Sequence, residues 1–341
     1  MIETPIEVDT APTIPGLVLR GFDPSTDYPG LVDLIRETNL VDSVDYVPTE
    51  EALRSSYEHL PEFDPRRDIL VADVDGMLVG ATEIDVRTRD GIGVHQTEGW
   101  VRPAWRRRGL GRWLLAWSER RAIEVARVDG RPPRRALTAW PDEQQVGATA
   151  LYEAAGYRIV RYGFQMVRDL ASPIPDAALP AGLEVRPVTP DQHRAIWDAD
   201  CEAFRDHWDA LERTDSDFAS WFANPDLDTT LWQVAWEADQ VAGSVMTFVY
   251  PEENAHLGVS RAWLEHISVR RPWRRRGLAS TLIGRTLRVV RERGLDEAAL
   301  GVDAENLSGA LRVYEAMGFG RQRVHVSYRK EFTAGQADAE G

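Results

Sequence analysis

Cysteine is nearly absent: Cys201 is the only one in 341 residues, so no internal disulfide can form and a reducing compartment is the natural setting. It precedes Glu202 and Ala203 in an apolar-periodic stretch, where a lone thiol is a packing residue, and no chemistry is assigned to it. Long apolar runs are missing too, since no stretch approaches the ~18 residues of a membrane span. Met1 to Thr13 is acidic and proline-containing, with neither a basic n-region nor an apolar core. No secretory signal is therefore expected, and the cytoplasm is the expected location. Basic charge is in deficit, 40 Lys and Arg against 55 Asp and Glu, which leaves a net charge of −15. A protein whose main work is gripping nucleic-acid phosphates needs the opposite balance, so no nucleic-acid partner is expected, and no membrane partner either.

What is present is enough apolar material, 43% of the chain, for two cores, and a sequence that repeats itself. Four landmarks recur in order at a period of roughly 165 residues, the scale of a duplicated domain and not of a solenoid. Pro15-Gly-Leu-Val-Leu-Arg20 returns as Ala181-Gly-Leu-Glu-Val-Arg186, and the β-rich Leu70–Gly80 as Gln233–Gly243. Within the first of these, Asp75-Gly76 signals a two-residue hairpin turn. Val101-Arg-Pro-Ala-Trp-Arg-Arg-Arg-Gly-Leu-Gly111 returns as Val269-Arg-Arg-Pro-Trp-Arg-Arg-Arg-Gly-Leu-Ala279, and Leu151-Tyr-Glu-Ala-Ala-Gly-Tyr157 as Val313-Tyr-Glu-Ala-Met-Gly-Phe319. The expected layout is a tail at 1–14, a first domain at 15–170, a proline-rich linker at 171–182, a second domain at 183–332 and a disordered tail at 333–341. Each copy reads as an α/β or α+β domain of mixed strands and helices.

Arg274-Arg-Arg-Gly-Leu-Ala279 follows a strand ending at Val269 and leads into a segment whose Leu282, Ile283, Leu287 and Val290 have helical spacing. A strand–loop–helix junction leaves the first helical N–H groups without internal partners, and with the positive end of the helix dipole these make an anion site. Gly277 and Ala279 keep side chains away from an approaching phosphate, as Gly109 and Gly111 do in the first copy. No Lys-Ser or Lys-Thr follows the glycine, so this is not a nucleotide-hydrolysing P-loop, and a Rossmann fingerprint is absent.

With Arg106/Gly109/Gly111 and Arg274/Gly277/Ala279, the chain resembles the GNAT superfamily of N-acetyltransferases, whose signature is Gln/Arg-x-x-Gly-x-Gly/Ala. The resemblance covers nearly the whole chain as two tandem domains, each implied to be a mixed, mostly antiparallel twisted sheet with flanking helices. It implies acetyl-CoA as co-substrate and no metal. Its pyrophosphate and pantetheine are implied to meet Ile267, Val269, Arg274, Arg275, Arg276, Gly277, Leu278, Ala279, Ser280 and Asn306. The counterparts in the first copy are Val101, Arg106, Arg107, Arg108, Gly109, Leu110, Gly111 and Arg112. Tyr314 is implied to protonate the departing thiolate. Within the superfamily the tandem form is similar in architecture to the mycothiol synthase family, two-domain enzymes that acetylate a cysteinyl pseudodisaccharide.

Acetyl transfer to an amine needs a neutral amine, a polarised thioester carbonyl and a proton for the leaving sulfur. Glu265 alternates with Ile267 and Val269 on one face of the strand before the loop and is the candidate general base. His266 points to the opposite face of a regular strand and ranks below it, an order that a one-residue bulge reverses. The first copy has Gln144 where the second has Asn306, and Thr97 where it has Glu265; Glu98 is one place out of register. Chemistry is therefore expected in the second copy, with the first binding acyl-CoA weakly or structurally and completing the substrate cleft. Asp206, His207 and Asp209 beside Trp208 suggest a pocket for a cation. The expected acceptor is a primary amine of a small molecule, with a protein or peptide amine, or a non-catalytic acyl-CoA sensor, as alternatives. The expected assembly is a monomer or homodimer.

Overall fold

The computed structural model describes residues 11–60, 62–224, 226–305 and 309–332. The chain divides into two compact units that do not coincide with the two sequence copies. Unit 1 contains Met1–Val160, Thr214–Asn224 and Val326–Gly341; unit 2 contains Arg161–Arg213 and Pro225–His325.

In unit 1 the strands β1 (Leu17–Gly21), β2 (Ile69–Val74), β3 (Met77–Arg89), β4 (Ile92–Val101) and β5 (Arg135–Ala139) neighbour one another in chain order. The last strand of the chain, β12 (Gly320–Phe332), then pairs through Tyr328–Phe332 with β5. All of these pairs are antiparallel except β4 with β5. The hairpin between β2 and β3 turns at Asp75 and Gly76, both at positive φ, as the Asp-Gly pair predicts. The helices α1 (Tyr28–Asp42), α2 (Glu50–His59), α3 (Pro65–Asp68), α4 (Leu110–Ala126) and α5 (Val146–Ala154) complete the first copy. One helix of the second copy, α7 (Asp215–Phe222), also belongs to this unit, tied by Ser216 Oγ to the His59 carbonyl (2.7 Å) and by Asp217 to Arg87 (2.5 Å).

Unit 2 repeats the plan. Its strands follow the order β6 (Arg158–Asp169, from Arg161 on), β11 (Glu297–Asp303), β10 (Arg261–Val269), β9 (Gln240–Phe248), β8 (Gln233–Glu237), β7 (Glu184–Arg186). Again one neighbouring pair, β10 with β11, is parallel. The helices are α6 (His193–Phe204), α8 (Pro251–Leu257), α9 (Leu278–Glu292) and α10 (Ala310–Ala316). The apolar spacing read from the sequence is the buried face of α9: Leu278, Leu282, Ile283, Leu287 and Val290 are all in the unit 2 core with Leu264, Leu300 and Tyr314. The linker runs along this helix, accepting hydrogen bonds at the carbonyls of Ala178 from Thr281 (3.0 Å) and of Ala181 from Arg276 (3.0 Å). Among the described residues no helix is long and apolar enough to cross a membrane. The expected tail at 333–341 lies outside the described residues.

Candidate active site

The two strands that flank the site separate. In unit 2, β10 stays paired with β9 as far as Val269, but pairs with β11 only over Arg261–Trp263. Beyond Trp263 the second edge of β10 faces a cleft of about 870 Å³. Ile267, Ser268 and Val269 line it on the strand side, the loop and the start of α9 at one end, and Ala310, Val313 and Tyr314 of α10 opposite. In unit 1, β4 follows β3 to Val101 but pairs with β5 only over Gly93–Gln96, so the same separation is built twice.

The loop that follows has one conformation in both copies. Arg275 (φ 59°) and Gly277 (φ 82°) lie in the left-handed region, as do Arg107 (φ 63°) and Gly109 (φ 86°). Left-handed residues in such a turn let neighbouring N–H groups point inward, the arrangement of an anion-binding concavity. Gly277 and Gly109 are also the N-caps of α9 and α4, with no side-chain cap to occupy the first N–H groups. The leading arginine of each loop braces it. Arg274 donates from Nε to the Val269 carbonyl (2.9 Å) and from Nη1 to Asp206 (2.7 Å); Arg106 donates to the Val101 carbonyl (3.0 Å) and, bidentately, to Asp42 (2.6 and 2.8 Å). These two guanidiniums hold the loop shape and already have carboxylate partners.

Of the residues singled out from sequence in the second copy, Ile267, Val269, Arg274, Arg275, Gly277, Leu278, Ala279, Ser280 and Tyr314 line this one cleft. Arg276 instead turns to the linker at Ala181, and Asn306 lies outside the described residues. In the first copy, Leu110 is buried, Arg108 lies over the Trp105 ring (4.9 Å), Arg107 and Arg112 are exposed, and Gly111 packs near Leu151 and Val101. Tyr314 is 7% exposed, and burial pushes its phenol up to about 12, so at neutral pH it holds its proton.

Glu265 does not line the cleft. A β-bulge falls at this residue: Leu264 is opposite Thr247 and His266 is opposite Met246, the next residue of β9, so Glu265 is the inserted residue. Its carboxylate accepts from Tyr250 Oη (3.1 Å), and the crowding of protein around it raises its pKa. His266 Nδ1 is 2.6 Å from Oδ2 of the fully buried Asp200, which also accepts from Arg213 Nη1 (2.8 Å). The cation pocket read around Trp208 is differently used: Asp206 pairs with Arg271 and Arg274, and Arg161, held by Asp303, lies over the Trp208 ring at 5.2 Å. Sequence reading passed over Asp303 and Arg161 as cleft residues, because no local motif marks them; Trp273 stands inside the repeated Val269–Ala279 segment without having been singled out.

Unit 1 has an unusual counterpart. Glu98 of β4 stands directly opposite Glu83 of β3, and Tyr57 donates to Glu83. Burial, then the neighbouring Glu98 charge, raises the Glu83 carboxyl to about 8, so the pair holds a proton at neutral pH.

Paired separated strands, each leading into an anion-cradling loop, define a tandem acyl-CoA-dependent acetyltransferase. Residues 193–319 match the acetyltransferase (GNAT) family and residues 65–159 an acetyltransferase (GNAT) domain, and the chain belongs to the GNAT acetyltransferases. The mycothiol acetyltransferase of Geodermatophilus obscurus is 31% identical over 268 residues, covering 77% of this chain and 82% of its own. That of Salinispora arenicola is 30% identical over 311 residues, covering 89% and 94%. Among solved structures, a GCN5-related N-acetyltransferase from Sphaerobacter thermophilus covers 94% of this chain and 97% of its own with TM-score 0.70 and 26% identity. A tandem GNAT protein from the clavulanic acid biosynthesis pathway shares the fold at TM-score 0.66 and 22% identity, covering 94% and 100%.

Proposed function

We propose that the chain transfers the acetyl group of acetyl-CoA to a primary amine of a small molecule by direct attack, in the cleft of unit 2. The observation that carries this reading is the single cleft in which the separated edge of β10, the anion-binding loop and Tyr314 face one another. Pyrophosphate bound at Gly277–Ser280 directs the pantetheine arm along Val269 and Ile267, whose free strand edge offers it backbone hydrogen bonds. Backbone N–H groups near Val269 polarise the thioester carbonyl. The amine nitrogen attacks the carbonyl carbon, the C–S bond breaks, and Tyr314, protonated at working pH, supplies the proton to the CoA sulfur. A titratable side chain of β10, Glu265 or its neighbour His266, takes the proton from the amine.

The relatives' name, mycothiol acetyltransferase, supports a small acceptor over a peptide, and a cysteinyl sugar of that class is the first acceptor to try. The test is release of free thiol from acetyl-CoA across cysteinyl sugars, aminoglycosides, polyamines, amino acids and short peptides. Turnover confined to a small-molecule class supports the proposal. Turnover with peptides alone contradicts the acceptor, and binding of acetyl-CoA without release from any amine contradicts the reaction.

A further inference from the structure

We propose that His266, oriented by Asp200, is the residue that accepts the acceptor amine's proton in unit 2; the assignment rests on the reading of the cleft given above. Three observations converge on it. The first is the bulge, which separates the two neighbouring titratable side chains of β10. Neither side chain lines the cleft directly, but Glu265 is turned to Tyr250, whereas His266 packs at 5.0 Å against Phe204, a residue of the cleft wall, and directly precedes Ile267, another.

The second is the buried carboxylate behind the imidazole. Burial alone would raise the Asp200 carboxyl, but the charges and hydrogen bonds of His266 and Arg213 outweigh it and hold the pKa below the usual range. An ionised carboxylate only accepts, so Nδ1 carries the hydrogen and the imidazole's lone pair is on Nε2. Arg213 Nη2 lies 3.3 and 3.4 Å from the two ring nitrogens while its Nη1 donates to the same Asp200 oxygen, so one guanidinium braces the carboxylate and the ring together. Titratable groups near it include Cys201, 3.9 Å from Arg213, and His207, stacked on Phe204 at 4.4 Å, both from α6 or the turn after it, and Glu265 on the strand itself. From β9 the facing residue is the apolar Met246.

The third is the repeat. Three places before the strand-ending valine stands His266 in the second copy and Glu98 in the first, while the counterpart of Glu265 is the buried Thr97. Both copies therefore carry a proton acceptor at the same position of the separated strand, and only the second backs it with a buried carboxylate on the neighbouring helix.

The proton balance closes. An ammonium acceptor loses one proton to reach the attacking amine, which His266 Nε2 takes and passes to solvent. The nitrogen loses a second as the C–N bond forms and the C–S bond breaks; the departing thiolate takes the Tyr314 proton, and the nitrogen's second proton, passed on through water, restores the Tyr314 phenol. Asp200 touches no reacting atom and is a positioning residue.

The test compares pH profiles of kcat/KM for wild type, His266→Gln, Glu265→Gln, Asp200→Asn and Asp200→Glu, with acetyl-CoA and cysteine amide-linked to glucosamine as the probe amine. Long-range nitrogen–proton NMR of the imidazole is recorded alongside. His266→Gln is expected to lower kcat/KM by about 10²–10⁴-fold and to erase the acid limb while acetyl-CoA affinity stays within about twofold. Glu265→Gln should keep the acid limb. Asp200→Asn should abolish the Nδ1–H tautomer, and Asp200→Glu should restore part of the rate. An acid limb that survives in His266→Gln and vanishes in Glu265→Gln overturns the assignment, as does an Nε2–H tautomer in wild type, a readout that needs no turnover. Failure of wild type to turn over the probe or any other amine overturns the underlying reading and the proposal with it.

Discussion

Replacing Gly277 by alanine isolates the backbone conformation of the loop. An added Cβ at this position meets no heavy atom within 4 Å, so the substitution is free of steric clash. Its effect comes from φ, which at 82° is in the left-handed region, where an L-residue is disfavoured by roughly 1–2 kcal/mol. The gain from restricting the unfolded chain, about 0.4–1 kcal/mol, offsets part of this. The net destabilisation is about 1 kcal/mol, a fall in melting temperature of roughly 2–4 °C for a unit of this size. If the loop instead relaxes out of the left-handed conformation, one charge-assisted N–H bond to the pyrophosphate is lost. At about 1.5–3 kcal/mol this raises the acetyl-CoA dissociation constant roughly 10- to 100-fold. Gly301 is the control: it too has open space, but no positive φ, so Gly301→Ala should leave stability unchanged or raise it by up to about 1 kcal/mol. Scanning calorimetry and isothermal titration with acetyl-CoA read both quantities. Gly277→Ala with wild-type melting and wild-type affinity, or with the same sign as Gly301→Ala, refutes the argument that the loop is held in a strained anion-binding shape.

Two further predictions concern pH. The Glu83 carboxyl is raised in the folded state, so the folded chain binds more protons than the unfolded one; stability is full at low pH and falls as pH rises from about 4.5 to about 8. Glu83→Gln should remove that slope and melt higher than wild type at pH 8, by on the order of a few kcal/mol, in melts from pH 5 to 9. His95 is fully buried against Phe332, and burial, then the nearby Arg135 charge, lowers its pKa to about 4. The unfolded chain protonates this histidine first, so stability falls by about 3 kcal/mol between pH 6.5 and 4, and His95→Phe should flatten that part of the profile.

The loops and Tyr314 were legible because each is a local pattern written twice. The repeated Arg-x-x-Gly segments fixed where two helices begin, and the structure gives both the same left-handed residues. The bulge at Glu265 was not legible, because the register depends on which residues of β9 stand opposite, and alternation along β10 alone argues for a regular strand. Nor was the Asp200–His266 contact, between residues far apart in sequence that only tertiary packing of α6 on β10 brings together. The allocation of α7 and of Val326 onward to unit 1 escaped the repeat for the same reason: similarity between copies reports common ancestry of segments, not which core each one joins. Asp206 was read as a ligand for a cation from outside, and the cations it meets are Arg271 and Arg274 of its own chain.

The central claim is that acetyl transfer takes place in the cleft of unit 2. It is tested most directly by following free thiol release from acetyl-CoA over the amine panel with wild type, Tyr314→Phe and Tyr152→Phe in parallel. Phenylalanine preserves the packing of Tyr314 on Phe319 and removes only the proton donor. The account predicts release with a small-molecule amine that drops by about 10²–10⁴-fold in Tyr314→Phe, with acetyl-CoA affinity retained, and that persists in Tyr152→Phe. Loss of turnover in Tyr152→Phe with turnover spared in Tyr314→Phe would place the chemistry in unit 1 and contradict it.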